Sequence, residues 1–349
     1  MLRLTLLYRC GDAGLNRGSH QVQVLDGLDA PGLPLPSCVL TIGNFDGVHR
    51  AHQQLLAQAG LFAARAGGPV AVLTFEPHPL AIVRPTDVPP RLSLPEEKLR
   101  CLAEAGAELV VVARSEPSLL GLSAEAFVEE VIHRRFHPTH IVEGPSFGFG
   151  RGRKGTPELL RELAAVWGCH VHMLEPVTLQ IEEGETLLVS SSLIRRLIGE
   201  GKVRRAGLCL GRPYALIGEV VAGDGRGRTI GFPTANLRVV EQLVPVEGVY
   251  AGRAVVERDV YAAAISVGAP ATFGRNVPTL EAHLLDFHGE LYGRRVRLEF
   301  QRYLRGMTKF ESAEELARQI RLDVEAVREA VDLSSEPRSS TDPRQSCRG

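Results

Sequence analysis

Up to about residue 199 the chain alternates apolar runs of strand length with helical patterns, and beyond that point the alternation stops. Candidate strands lie at 22–25, in the run ending at Ile42, and at 70–74, 109–112, 141–142 and 170–174. Helical patterns fall at 49–66 and 95–104, after Ser123 and after Thr156, and a last one begins within Ser190-Ser191-Ser192. Ser93 and Glu96 have the spacing of a capping box ahead of 95–104. Such alternation predicts a parallel sheet covered by helices, with ligands bound beyond the carboxyl ends of its strands. A charged, glycine-bearing stretch follows Gly199, and then short β-like runs at 214–221, 249–256, 261–267, 281–285 and 296–300 with no long helix between them. That spacing predicts an antiparallel barrel or sandwich. A closing amphipathic helix starts at Ser312, in a capping box with Glu315, and carries Leu316, Ile320, Val324 and Val327 on one face.

At 349 residues the chain is long enough for two domains, expected at 21–200 and 201–333. Residues 1–20 lack periodicity and read as a loosely ordered extension; residues 334–349, rich in Ser, Pro and Arg, read as a disordered tail. Forty basic and forty-one acidic side chains give a net charge of −1, so no general attraction to nucleic acid or an anionic membrane is expected and any anion site is local. The six cysteines are scattered without metal spacing, and neither a signal core nor a membrane-length apolar run is present. A cytoplasmic protein with reduced thiols and no obligate protein partner is the expectation.

Chemistry is expected first in residues 41–52, Thr-Ile-Gly-Asn-Phe-Asp-Gly-Val-His-Arg-Ala-His, a strand that runs through a tight turn into a helix start. Gly43 and Gly47 permit the turn, and His49 and His52 share a helix face near an N-terminus that attracts phosphate. Three further loops would converge on it. One is 74–79, in which prolines hold His78 in an extended turn; another is 143–156, which combines flexible backbone, the rings of Phe147 and Phe149, and three cations; the last is 190–196, with serine hydroxyls and Arg195. The 143–156 loop lacks the Gly-Lys-Ser/Thr order of a P-loop.

The motifs Gly-Asn-Phe-Asp-Gly-Val-His-Arg-Ala-His-Gln, Phe-Glu-Pro-His-Pro and Ser-Ser-Ser-Leu-Ile-Arg, in this order, resemble the adenylyltransferase half of the bacterial bifunctional riboflavin kinase/FAD synthetases. Gly211-Arg-Pro-Tyr, Gly227-Arg-Thr-Ile-Gly-Phe-Pro-Thr-Ala-Asn236, Gly248-Val-Tyr-Ala, Thr272-Phe-Gly, Glu281-Ala-His-Leu-Leu-Asp-Phe and Leu291-Tyr-Gly resemble the riboflavin kinase half. The resemblance spans roughly 22–330. It implies an N-terminal doubly wound parallel-sheet nucleotidyltransferase domain and a C-terminal antiparallel β-barrel kinase domain with a terminal helix. It also implies two reactions, riboflavin to FMN and FMN to FAD, with riboflavin, FMN and ATP as substrates and Mg²⁺ as cofactor.

Carried over by position, the resemblance makes Glu281 the kinase base and gives Thr234 a Mg²⁺ contact. Asn236 orients that site, while Gly223, Gly225, Gly227 and Gly231 admit the nucleotide. In the other half it implies that His49 and His52 stabilise transferred charge. Gly43, Asn44, Phe45, Asp46, Gly47, Ser190, Ser191, Ser192 and Arg195 would contact ATP or phosphate, and Phe75, Pro77, His78, Ser146, Phe147 and Phe149 the flavin. Four departures from the family pattern stand out: Ala51 replaces glycine in His-x-Gly-His, Ser146 an Asp or Asn, Ser266 an Asn, and Pro270-Ala271 an Arg-Pro. A chain with only the kinase working, or a binding regulator without turnover, are the rival readings.

Overall fold

The computed structural model describes residues 6–9, 21–181, 184–223, 231–239, 241–270 and 278–331. Its first half is a seven-stranded sheet of β1 (Leu6–Arg9), β2 (Gln21–Asp26), β3 (Cys38–Ile42), β4 (Val70–Glu76), β5 (Leu109–Arg114), β6 (Pro138–Glu143) and β7 (His170–Met173), ordered β1-β2-β5-β4-β3-β6-β7. The pairings from β2 to β7 are parallel, as expected of a doubly wound sheet, and β3 is buried at every residue, as a strand covered on both faces must be. From β3 the chain builds β4 and β5 on one side and then crosses back to β6 on the other. The strand order therefore reverses between β3 and β6, and their carboxyl ends open the crevice where ligands of such sheets bind.

Four local expectations need correction. Leu6–Arg9, assigned no strand, pairs antiparallel with β2, because an edge strand needs only a backbone ladder and no periodicity. Thr178–Gln180 (β8) and Thr186–Leu188 (β9) form a short hairpin that the reading missed. Ser93 does not cap: Leu94 occupies the N-cap of helix Pro95–Glu104, and the Ser93 hydroxyl serves the 43–49 loop instead. Glu315 accepts from the Glu311 amide, so the Ser312 box is half formed. Ser123, Thr156, Ser190 and Ser312 do cap their helices through their side-chain oxygens.

The second half closes into a six-stranded antiparallel barrel, which decides between the two architectures the spacing left open. Its strands are β10 (Tyr214–Val221), β11 (Ala235–Val239), β12 (Gly248–Val256), β13 (Asp259–Pro270), β14 (Pro278–Leu284) and β15 (Arg295–Arg305), in the order β10-β11-β14-β13-β12-β15. The reading missed β11, whose five residues follow a Gly- and Pro-rich motif and alternate buried with more exposed positions. The terminal helix Ala313–Ala330 buries Val327 in a cluster with Ala251, Ala262 and Leu285 on the barrel wall. Gly225, Gly227, Ala271, the Thr272 motif and the 334–349 tail lie outside the described residues, as does most of the 1–20 extension.

The barrel interior is continuous with material from before it. Tyr250, Ile265, Leu298 and Phe300 belong to one buried cluster with Ile194 and Ile198 of helix Ser191–Gly199, Ala206 and Leu210 of helix Val203–Leu210, and Leu92 beside the first sheet. Ions cross the same boundary. Burial alone would push the Glu97 carboxyl up; instead Arg100, at 2.7 Å, and Arg297 of the barrel, at 2.6 Å, hold it at about 2.

Strand β12 bulges against β15 between Ala251 and Gly252, and a Cβ on Gly252 would stand 2.0 Å from the Glu299 carbonyl oxygen. The Ile265 side chain, 2.9 Å away, could shift, but the paired backbone of Glu299 cannot. Gly252→Ala should therefore destabilise the barrel by about 1–3 kcal/mol, the usual cost of overpacking. The check is the thermal midpoint, which should fall by several degrees.

Candidate functional site

At the carboxyl end of β3 the chain leaves the sheet through residues 43–49, with Phe45 at φ 49°, Gly47 at φ 82° and Val48 at φ 39°. Left-handed backbone is rare for an aromatic and rarer for a β-branched residue, so the turn is strained and must be held. Asp46 does much of the holding. Its carboxylate accepts from the Leu92 amide at 3.0 Å, the Ser93 amide at 3.1 Å and hydroxyl at 3.2 Å, and Arg195 at 2.5 Å. The Ser93 hydroxyl in turn accepts from the Gly47 amide at 3.1 Å, and Ser191 donates to the Asp46 carbonyl at 3.0 Å.

Three of the four expected loops meet here. Thr74 donates to the Asn44 carbonyl at 3.3 Å, and His78 Nε2 lies 3.0 Å from the Asn44 amide group. The Leu80 amide donates to His78 Nδ1 at 3.1 Å, so a neutral His78 carries its proton on Nε2 and requires the Asn44 oxygen opposite. The 143–156 loop joins at its root, where the fully buried Glu143 accepts from the Ile42 amide at 2.6 Å. Burial pushes that carboxyl well above the ordinary range, against the hydrogen bonds from the Ile42 amide and Thr41 that pull it down.

Some expected contact residues have other occupations. Phe45 is 1% exposed and packs in the sheet core, which leaves only its backbone for a ligand. Asp46 is a brace whose acceptor oxygens are already engaged, and a carboxylate would in any case repel phosphate. Arg195 is committed to Asp46 and to the Pro90 carbonyl at 2.8 Å. The Ser190 hydroxyl caps its helix, while Ser192 is exposed. Phe149 is 5% exposed and its ring lies 6.0 Å from Phe127 in the core; Phe147 is half-buried against it and Ser146 is exposed. Phe75 is also half-buried, on the edge of that core. The Ala51 methyl packs against the apolar cluster shared with the barrel.

His49 begins helix Arg50–Ala66, and its ring stacks on that of His52 with centroids 3.6 Å apart. Nδ1 of each ring is buried without a hydrogen-bond partner. Burial pulls the His49 pKa down to about 4, with Arg195 and Arg212 pushing the same way against Asp46; burial and the neighbouring His49 pull His52 well below its ordinary value. Both rings are neutral at pH 7.

Sequence reasoning missed several groups at this site. Lys98 is buried on helix Pro95–Glu104, within 3.5 Å of the Asn44 carbonyl, 3.4 Å of the Thr74 hydroxyl and 3.7 Å of Glu76, and burial lowers its pKa. The available signal was a lysine at i, i+3, i+4 spacing with Cys101 and Leu102 on the helix's buried face. Arg91, which forks onto Glu76 at 2.5 and 3.0 Å, and Glu143 carried no periodic signal.

The second candidate site lies on the barrel, where Asn236 and Glu281 face each other across β11 and β14. The Thr234 hydroxyl is 3.5 Å from the Glu281 carboxylate. A Cβ on Gly223 would fall 2.0 Å from the Asn236 amide nitrogen, so only glycine lets that side chain lie where it does. His283, to which no role was given, holds the turn before Thr234 through its Nδ1, 2.8 Å from the Pro233 carbonyl. Gly231 is exposed at φ 86°, and Ser266 sits opposite Glu281 on β13. A carboxylate, a hydroxyl and an amide oxygen suit proton abstraction and a hard cation.

Residues 34–191 match the family described as FAD synthetase, and residues 210–331 the family described as riboflavin kinase. Curated proteins named bifunctional riboflavin kinase/FMN adenylyltransferase align along most of the chain. The protein of Escherichia coli K12 is 35% identical over 86% of this chain and 95% of its own length; that of Bacillus subtilis 168 is 36% identical over 83% and 92%; that of Haemophilus influenzae is 33% identical over 88% and 98%. A solved structure named macrolide-efflux protein, from Streptococcus pneumoniae, superposes with a TM-score of 0.79 at 32% identity, covering 87% of this chain and 98% of that one. Among the described residues no helix is long and apolar enough to cross a membrane. Two transferase domains in one chain define a fused pair of flavin-nucleotide enzymes. The chain belongs to the bifunctional riboflavin kinase/FMN adenylyltransferase family.

The buried histidines make a pH prediction. With a pKa near 6.5 unfolded and about 4 folded, His49 binds more proton in the unfolded chain between those values, so stability is lost as pH falls through that window. His49→Gln should flatten the slope by up to about 1.4 kcal/mol per pH unit. Urea midpoints at pH 5 and pH 7, compared between parent and variant, measure it.

Proposed function

We propose that the barrel phosphorylates riboflavin to FMN, that the sheet domain adenylylates FMN to FAD, and that both reactions use ATP and Mg²⁺ in the cytoplasm. The observation that carries this reading is the coexistence of two separate constellations. One is the carboxylate and hydroxyl pair of Glu281 and Thr234; the other is the stacked His49 and His52 above the braced glycine loop. Buried, reduced thiols such as Cys38 and Cys101 suit a reducing compartment.

In the kinase reaction the riboflavin 5′-hydroxyl attacks the γ-phosphorus of ATP and ADP leaves. Glu281 accepts the hydroxyl proton, and Asn236 orients the site. Thr234 and Glu281 present hard oxygens, while among the described residues no cluster of three acidic, His or Cys ligands exists. That suits Mg²⁺, which takes one or two protein oxygens and completes its shell with phosphates and water. When bound, the ion neutralises charge on the phosphates.

In the second reaction an oxygen of the FMN phosphate bonds to the α-phosphorus of ATP as the bond to the bridging oxygen breaks and pyrophosphate leaves. The nucleophile is already anionic, so the protein needs alignment and charge stabilisation more than a base. His49 and His52 lie at a helix N-terminus on the switch point of the sheet, where a polyanion raises the proton affinity of buried imidazoles. They donate to the phosphates, aided by Asn44, on a turn that Gly43 and Gly47 let the backbone make. Phe75, Pro77, His78 and Phe147, on neighbouring loops, are the flavin-side contacts in this reading.

Incubation of the purified chain with riboflavin, ATP and Mg²⁺, followed by chromatography, should yield both FMN and FAD; absence of both would refute the proposal, and FMN alone would refute its second half. Glu281→Ala should abolish FMN formation but spare conversion of supplied FMN, and His49→Ala should do the opposite. Equal loss of both activities in either variant would contradict separate sites. EDTA should stop both reactions and added Mg²⁺ restore them.

A further inference from the structure

The strained turn at 43–49 is braced on one side by its own domain, through Asp46, Ser93 and Ser191. Its outer carbonyls look the other way, toward the segment that leads into the barrel. The Gly47 carbonyl accepts from one terminal nitrogen of Arg212 at 2.8 Å, and the Val48 carbonyl accepts from the other at 3.3 Å. Gln53 also donates to the Val48 carbonyl, at 2.8 Å, and to the Leu210 carbonyl at 2.9 Å, which Arg212 reaches at 3.3 Å. Arg50 donates to the Leu208 carbonyl at 2.7 Å, fixing the first turn of the histidine-bearing helix to the same segment. Two donors thus tie three carbonyls together, one donor from each side of the boundary.

Arg212 lies in Gly211-Arg-Pro-Tyr, a motif that by sequence belongs with the kinase half, within the stretch matching the riboflavin kinase family. Besides the adjacent Leu210 carbonyl, its contacts are with Gly47 and Val48 of the other half. We infer that Arg212 is a positioning residue for the adenylyltransferase site: by holding the Gly47 and Val48 carbonyls it fixes the backbone from which His49 projects. The inference rests on the reading that His49 acts in adenylyl transfer.

The physical argument is one of strain and restraint. Left-handed backbone at a β-branched residue costs on the order of 1–3 kcal/mol and persists only where its surroundings over-determine it. At Val48 the amide is held by the Phe45 carbonyl at 3.1 Å, and the carbonyl by Arg212 and Gln53. With Arg212 gone, the Gly47 carbonyl loses the partner that fixes its direction, and rotation of the 47–48 and 48–49 peptides swings the His49 ring off the His52 stack. The planar guanidinium presents two separate nitrogens to the two carbonyls, a geometry that the single nitrogen of a lysine ammonium does not reproduce. The charge matters as well, since Arg212 is among the cations that disfavour protonation of His49.

The test uses the full chain with Arg212→Lys and Arg212→Met. Expected in both is a fall of at least about tenfold in kcat for FMN to FAD, with the KM for FMN and the riboflavin to FMN rate within about twofold of the parent, as befits misplacement of a catalytic group. Amide exchange of residues 43–49 should accelerate about tenfold while the barrel amides stay protected. A parental kcat in Arg212→Lys, or parallel loss of both activities, would overturn the inference. Should the parent itself make no FAD, the functional reading fails, and unchanged exchange in the loop would then sink the positioning role separately.

Discussion

The Asp46 carboxylate is the point on which the first site depends. It gathers the turn after β3, the chain at Leu92 and Ser93, and the helix carrying Arg195 around one half-buried pair of oxygens. Charged hydrogen bonds of this kind are among the stronger ones in a protein, and here they offset backbone strain at Phe45 and Val48. Sequence motifs far apart in the chain become neighbours through it. Ser191 and Arg195, expected near phosphate, also shape the turn that leads into His49.

Around that brace the electrostatics are of one kind. Lys98, Arg91, Arg195 and Arg212 all lie close to the loop, each engaged with a carboxylate or carbonyl; burial and cations from this set pull His49 and His78 down, and burial and His49 pull His52 down. Each of these cations is thus held by a partner within the protein. In the proposed adenylyl transfer, phosphate brings the charge that the imidazoles answer, which would tie their protonation to the presence of substrate. Glu143, at the root of the third loop, is pushed by burial toward its uncharged form.

Much of this was legible in the residues. Strands buried on both faces read as apolar runs, helices announced themselves through Ser123, Thr156, Ser190 and Ser312, and the barrel strands alternated as half-buried strands must. What stayed hidden was set by tertiary contact. Ser93 had the spacing of a cap, but Asp46 from 47 residues earlier recruits its hydroxyl. Phe149 looked like a ring offered to a ligand, yet Phe127 places it in the core. The β8 and β9 hairpin and β11 are three to five residues long, too short for periodicity to register, and exist because a partner strand is present. Lys98 and Arg212 act through carbonyls that only the fold brings to them.

The shared apolar cluster has a consequence for how the molecule can be divided. By motif, residues 187–198 belong to the sheet domain, since Ser191 and Arg195 brace its loop. By packing, Leu187, Val189, Ile194, Leu197 and Ile198 belong to the barrel core, and Val177, Leu179 and Ile181 lean on the same cluster. A cut after the hairpin would strip the loop of its brace, and a cut after the helix would open the barrel's floor to water. Among the described residues the chain is thus a fusion in catalytic terms and one continuous core in packing terms.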